Sequence, residues 1–571
     1  MKRVLLLIAG FVLIIHSLYA VEFLSSDKIK PGMKGYGITV FHGWTPERFE
    51  VEIIDVMKNA VPGPNGDVIL ARCTGNILDK SGVIAGMSGS PVYIDGKLIG
   101  AVSSTWAYSK DSIAGITPIA RMLEQKDLHD PNYFSGDSSL KKIATPIVLH
   151  GVYGDAKKMA NDFFMEKGFM TCDGIGGGVS APDDKTLQPG DSIAINLVDG
   201  DLSIAAIGTV TYVSNNDIYI FGHPFDQFGN LRLPISKSYV YTVIPSIGLS
   251  FKLGAGSEPS GSTIFDGEAA VYCQAGAAPT MIPLKVSIDS PSGKSEFNYR
   301  IAEDSTYFPM LASVALSSSM SRIMGIMDNK TISYDFKMKL LVDGKETVFT
   351  NSYLYSIDPS FYSYMFMLMD LRYYFTTFMN TDLAKLKILD AQVRITIKKG
   401  VNYFVINDAF SDKPGYFPGE TVNIHVMMRE YLSEVKSFSI PLTIPKEIQP
   451  GKYKIFIASQ PSVYYQITKL FPDIAWVQSM KDLLHNASMF LDNTMLQAVF
   501  ISIEDGVQIS DKKMPNFPNS YISLLNIKNI ADRFYLFPNL TTGNLQFKHP
   551  IFGFQQLQIN IYEEKKPKKQ E

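Results

Sequence analysis

Apolar residues in this chain recur mostly at the short spacing of β-strands, in Val-, Ile- and Tyr-rich runs. Turn signals break the runs at Pro62-Gly63-Pro64-Asn65-Gly66, Pro189-Gly190-Asp191, Asp199-Gly200 and Asn215-Asn216. The clearest hairpin is Val92-Tyr93-Ile94, Asp95-Gly96, then Leu98-Ile99-Gly100-Ala101-Val102, because Asp-Gly suits a two-residue turn with positive φ at both positions. Helical spacing appears in only a few places. Residues 156–167 predict an amphipathic helix capped by Asp155, with Met159, Phe163 and Phe164 toward a core and Gly168 as its stop. Residues 361–379 predict a buried or groove-covering helix; Asp370 and Arg372 interrupt its apolar run, which argues against a membrane span. Further on, 421–426, 438–445 and 449–457 alternate as strands joined by Pro-Gly turns, predicting an immunoglobulin-like sandwich. His425 is out of phase with Val422, Ile424 and Val426 there and is expected to be an ordinary exposed residue. A helix over 474–485, capped by Pro472-Asp473, and a last β-rich segment complete the pattern.

Composition adds three constraints. The 571 residues are 46% hydrophobic and carry a formal net charge of −3, which suits several packed domains and gives no basic surface for nucleic acid or anionic membranes. Three cysteines, Cys73, Cys172 and Cys273, allow at most one disulfide, and no Cys-x-x-Cys or clustered histidine spacing suggests a metal, so no cofactor is expected. Met1-Lys2-Arg3, the apolar stretch 4–15 and Leu18-Tyr19-Ala20 have the layout of a secretory signal. That places the mature chain outside the cytoplasm, periplasmic or extracellular, with no stable membrane insertion after cleavage.

The stretch most suggestive of chemistry is Gly86-Met87-Ser88-Gly89-Ser90-Pro91, directly before the hairpin. A hydroxyl nucleophile needs a sharply turned, exposed backbone whose N–H groups can hold the oxyanion of a tetrahedral intermediate, and glycines on either side of a serine permit such a turn. Ser88 is the candidate nucleophile, with the N–H groups near Gly86 and Ser88 as the oxyanion hole; the bland alternative is a tight structural turn. A base of pKa about 6.5 would suit it. His223 follows Phe221-Gly222, and His42 lies in Thr39-Val40-Phe41-His42-Gly43. Too little chain separates His42 from Ser88 to build two barrels between them, so His42 reads as a surface or substrate-side residue. Gly174-Ile175-Gly176-Gly177-Gly178 lacks a following lysine and reads as a flexible loop, not a phosphate cradle.

Residues 84–91, with Asp95-Gly96-Lys97-Leu98-Ile99-Gly100-Ala101-Val102 and Ala114-Gly115-Ile116-Thr117-Pro118-Ile119, resemble the serine segment of the SpoIVB-type serine peptidases. Gly208-Thr209-Val210-Thr211-Tyr212, followed by Phe221-Gly222-His223, is similar to the segment carrying that family's catalytic histidine. The resemblance spans about residues 30–290 and departs from the family twice. The histidine segment follows the serine segment instead of preceding it, and where the family places an aspartate before the turn this chain has Cys73 or a neighbour. Asp79 and Asp266 are the two candidates for the acid.

The strand pattern makes the fold mainly β, and the resemblance implies a trypsin-like, β-barrel-type peptidase domain in two halves. An immunoglobulin-like β-sandwich and a small C-terminal α/β segment would follow. The expected organisation is a signal peptide at 1–20, a serine-bearing half at 21–128 and a histidine-bearing half at 143–300. Beyond a linker near 129–142, the remainder divides into a β-rich linking domain with a helix at 301–410, the sandwich at 411–460, a segment at 461–560 and a disordered tail at 561–571. The function implied is an exported serine endopeptidase acting on protein or peptide substrates, or on itself, through an acyl-enzyme. In that reading the C-terminal β-domain would dock substrate or an envelope protein partner; the alternative is an inactive peptidase-fold protein serving as a cell-envelope binding or scaffolding module.

Overall fold

A computed structural model describes residues 21–563 apart from 62–65, 76, 107, 128–141, 175–183, 228, 325–329, 357–359, 472–476, 478, 489–491, 510–511 and 516–532. The expected signal segment, the 129–142 linker up to residue 141, the 174–178 loop beyond Gly174, the Pro472-Asp473 cap and the tail beyond 563 thus lie outside the described residues. The protein is mainly β, as the pattern predicts. It divides into two compact units, Met1–Ile282 with Tyr299–Ser318, and Pro283–Asn298 with Ser319–Glu571.

The first unit opens with a closed barrel of six strands, β1 (Lys34–Thr39), β2 (Glu47–Met57), β3 (Val68–Thr74), β4 (Pro91–Ile94), β5 (Lys97–Thr105) and β6 (Ile113–Pro118), in the order β1-β2-β3-β6-β5-β4. Alternation drives its assembly: Phe49, Val51 and Ile53 of β2 point inward while Glu50 and Glu52 face solvent. They meet Ile69, Ala71, Cys73, Val92, Ile94, Ile99, Val102 and Ile116 in one apolar core. Asp95 and Gly96 take φ of +51° and +76°, the two left-handed positions that the Asp-Gly hairpin requires.

Next come β7 (Pro146–His150), a helix Asp155–Glu166 and β8 (Met170–Asp173). They are followed by β9 (Ser192–Gly200), β10 (Ser203–Ser214), β11 (Asp217–Ile220), β12 (Gly229–Asn230), β13 (Pro234–Ile244), β14 (Phe251–Gly256), β15 (Gly261–Asp266) and β16 (Val271–Ala275). The path β9-β13-β15-β16-β11-β10 returns on itself because β9 also pairs with β10, giving a second ring of strands. The helix starts one residue earlier than expected: Gly154, at φ +57°, occupies the capping position and Asp155 is the first helical residue. Phe164 is fully buried, Met159 and Phe163 half-buried, and Gly168 ends the segment at φ +79°.

In the second unit, Lys345–Tyr355, Lys330–Val342 and Leu386–Lys399 form adjacent strands, against which the helix Ser360–Met379 packs Tyr364, Met367, Leu371, Tyr374 and Phe375. Two further sheets share one core that runs from Phe404 to Ile561. One contains Phe404–Ser411, Thr421–Glu430, Val435–Thr443 and Ile551–Phe552; the other is built on Gly451–Ser459, Met495–Ile509 and Phe554–Ile561. His425 is half-exposed and stacks on Phe410, off the face that Val422, Ile424 and Val426 bury. The three cysteines are free and buried.

Candidate active site

The serine turn leaves the first barrel between a short helix, Leu78–Ser81, and β4. Ile84, Ala85 and Met87 are buried in the barrel core, so the turn is anchored by side chains on either side of Gly86. Gly86 and Gly89 take φ of +97° and +95°, where a Cβ is strained. At Gly89 a Cβ would also sit 2.0 Å from the Thr209 carbonyl oxygen.

The turn is held peptide by peptide. The Lys252 N–H donates to Ala85 O at 2.9 Å, the Thr209 hydroxyl to Gly86 O at 2.9 Å, the Thr209 N–H to Ser88 O at 2.9 Å and the Thr211 hydroxyl to Gly89 O at 2.7 Å. Gly89 N–H donates to Val102 O at 2.8 Å, and Ser90 N–H and Oγ both reach Met87 O. Among the described residues no acceptor meets the N–H of Gly86 or of Ser88. Two donors are therefore left unspent on a backbone fixed at nearly every carbonyl, the arrangement that oxyanion stabilisation needs.

The histidine lies just past β11, on the second ring. Phe221 and Gly222 take φ of +68° and +70°, and the Phe221 ring occupies the space a Cβ on Gly208 would fill. Thr117 of β6 donates its hydroxyl to Gly222 O at 2.7 Å, and a Cβ at Gly222 would lie 3.4 Å from Val102 O, the carbonyl that Gly89 uses. The serine turn and the Gly-His pair thus meet around Val102. His223 Nδ1 bonds to Pro224 O at 2.7 Å. A carbonyl only accepts, so Nδ1 carries the proton and Nε2 presents its lone pair. Burial, then repulsion by Lys142, pushes the imidazole down from 6.5 to about 3, against a smaller opposing pull from the Pro224 carbonyl. Ser88 Oγ and His223 Nε2 are both buried without a hydrogen-bond partner, so neither bonds the other; the serine turn, expected to be exposed, is covered because Ile84, Ala85 and Met87 are drawn into the barrel core and the second ring packs on Gly89.

The two candidate acids are placed differently. Asp266, buried at the end of β15, accepts the N–H groups of Phe225 and Asp226, each at 2.7 Å, and so braces the turn that follows His223. The imidazole's own hydrogen bond goes to Pro224 O. Asp226 is tied in turn to Lys167 at 2.7 Å and to the Tyr307 hydroxyl at 2.9 Å. Asp79 is exposed and accepts the Gly75 N–H at 3.0 Å. Cys73 is a core residue of β3 whose thiol burial pushes up to about 12. His42 is exposed, with its ring edge-on to Tyr239.

Sequence reasoning missed Lys252, Thr39 and the role of Thr209. Lys252 is fully buried on β14, with its Nζ 2.7 Å from Thr39 Oγ1 and 3.2 Å from Thr209 Oγ1. Its only signal was one lysine inside the apolar run Phe251-Lys252-Leu253.

The mainly β fold packs the loops of a glycine-flanked serine and of a Gly-His pair around one carbonyl, Val102 O. Residues 16–123 match the model of the SpoIVB peptidase S55 family, the family that the serine segment resembles. The match includes Ser88 and Asp79 and stops before His223 and Asp266. No curated protein and no solved structure matches the chain.

Proposed function

We propose that this protein is an exported serine endopeptidase of the SpoIVB type, with Ser88 as nucleophile and His223 as general base. Ser88 Oγ attacks the scissile carbonyl carbon and passes its proton to His223 Nε2, while the N–H groups of Gly86 and Ser88 hold the oxyanion. Collapse breaks the C–N bond as the imidazolium returns that proton to the leaving amine. Water, deprotonated by the same nitrogen, then hydrolyses the ester. One observation carries the reading: a hydroxyl and an imidazole lone pair of complementary kind are both buried and unpartnered on loops packed around Val102.

In this scheme the Pro224 carbonyl does the orienting usually left to a carboxylate, and Asp266 supports it through the backbone. An imidazole held neutral by burial is the form a base requires, and the oxyanion forming beside it raises its affinity for the proton. Export follows from the basic, apolar and small-residue order of the leader. Among the described residues no helix is long and apolar enough to cross a membrane.

The test is fluorophosphonate labelling of the purified protein with intact-mass analysis. An adduct on wild type and none on Ser88→Ala supports the assignment. Loss of the adduct in His223→Ala with retention in His42→Ala supports the choice of base. Well-folded wild type that takes no adduct would turn the reading to a binding module on a peptidase scaffold.

A further inference from the structure

We propose that Lys252 is the positioning residue for the serine turn, holding the peptides on both sides of Gly86 so that the Gly86 N–H stays aimed as an oxyanion donor. The inference rests on the peptidase reading above. Lys252 grips the turn twice. Its own N–H bonds to Ala85 O, and because a trans peptide places C=O and N–H on opposite sides, that bond directs the Gly86 N–H away from β14. Its Nζ donates to Thr209 Oγ1, whose own proton goes to Gly86 O, fixing the next peptide plane along. Between these two bonds the stem lies flat under the turn: Cβ, Cγ and Cδ of Lys252 come within 3.1–3.2 Å of where a Cβ on Gly86 would be.

This arrangement has no ordinary structural explanation. A buried ammonium is normally neutralised by a carboxylate. Nζ meets the hydroxyls of Thr39 on β1 and Thr209 on β10, while Gly86 of the turn lies against the methylene stem. No carboxylate stands against it among the described residues, and burial alone lowers the amine to about 7. The first barrel (Thr39), the second ring (Thr209) and the serine turn (Gly86) all converge on this side chain. A methionine would fill the same space without the cost of burying a charge, so a lysine at this position is explained by what its nitrogen holds.

The test compares Lys252→Met with wild type in two measurements. The first is hydrogen exchange, read by mass spectrometry, over peptides covering residues 84–92. Lys252→Met is expected to speed exchange there at least tenfold while leaving β2 and β3 unchanged. The second is the fluorophosphonate reaction of Ser88, where the maximal rate is expected to fall at least tenfold with little change in the concentration giving half that rate, since a misaimed donor weakens the transition state more than the encounter. Thr209→Val and Thr209→Ser guard against a variant that fails to fold: Val is expected to reproduce both effects, and Ser, which keeps the bridging oxygen, to recover most of the loss. Unchanged exchange over 84–92 in folded Lys252→Met and Thr209→Val overturns the positioning role whether or not Ser88 reacts. Faster exchange with an unreactive wild-type Ser88 keeps Lys252 as the holder of the turn and removes the peptidase reading instead.

Discussion

Acid should destabilise the first unit through one buried imidazole, by an amount that can be worked out from its surroundings. His223 titrates near 6.5 in an unfolded chain and is pushed to about 3 in the fold, chiefly because burial disfavours the cation and secondarily because Lys142 repels it. Between those two values the unfolded chain binds a proton that the folded one refuses, so stability falls as pH falls. Above 6.5 both states are neutral and the group contributes nothing; below 3 the whole penalty, about 5 kcal/mol at 1.36 kcal/mol per unit, is present. pH 5 lies 1.5 units below the imidazole's unfolded value and still well above its folded one, which gives a loss of about 2 kcal/mol relative to pH 7. Carboxylates titrate over the same range, so the measurement is a difference. Urea unfolding of wild type and His223→Gln at pH 7 and pH 5, read by hydrogen-exchange mass spectrometry on first-unit peptides, should show wild type losing about 2 kcal/mol more than the variant. Equal losses would refute the burial argument, and with it the claim that the resting base is kept neutral by its surroundings.

Other consequences are more local. Gly89→Ala should cost about 1–2 kcal/mol from its left-handed backbone alone. The clash with Thr209 O adds to that, so a lower melting temperature and loss of Ser88 labelling are expected together, and a melting temperature equal to wild type would contradict the contact. Asp266→Ala strands the N–H groups of Phe225 and Asp226 and should destabilise by about 3 kcal/mol in urea titration, slowing labelling as the His223 turn loosens. Asp79→Asn, on an exposed turn, should label at nearly the wild-type rate; the reverse order of effects would exchange their roles. All three cysteines should resist iodoacetamide at pH 8 in the native protein and react after guanidinium unfolding, because burial pushes the thiols of Cys73 and Cys172 up to about 12 and raises Cys273 as well. A native adduct seen by mass would show that one of them is accessible.

What the sequence determined by itself is what nearest neighbours along the chain decide. Alternation made β2 bury one face, Asp95-Gly96 set a hairpin that only left-handed φ can close, and the glycines around Ser88 marked a turn with no room for a Cβ. The resemblance to SpoIVB-type peptidases rested on the same local stretches, and the family match covers the part of the chain where they are densest. The tertiary structure decided which distant groups meet. Asp79 lies nearer Ser88 in sequence yet faces solvent, whereas Asp266 braces the histidine turn from far along the chain. The missing acid was sought as a side chain, but the group on Nδ1 is the carbonyl of the very next residue, since any backbone oxygen can accept and none is marked in a sequence. Lys252 stood out only as a lysine in an apolar run, and its partners could not be read for the same reason: Thr39 of β1 and Thr209 of β10 meet its nitrogen, and Gly86 of the serine turn its stem, only once the rings close.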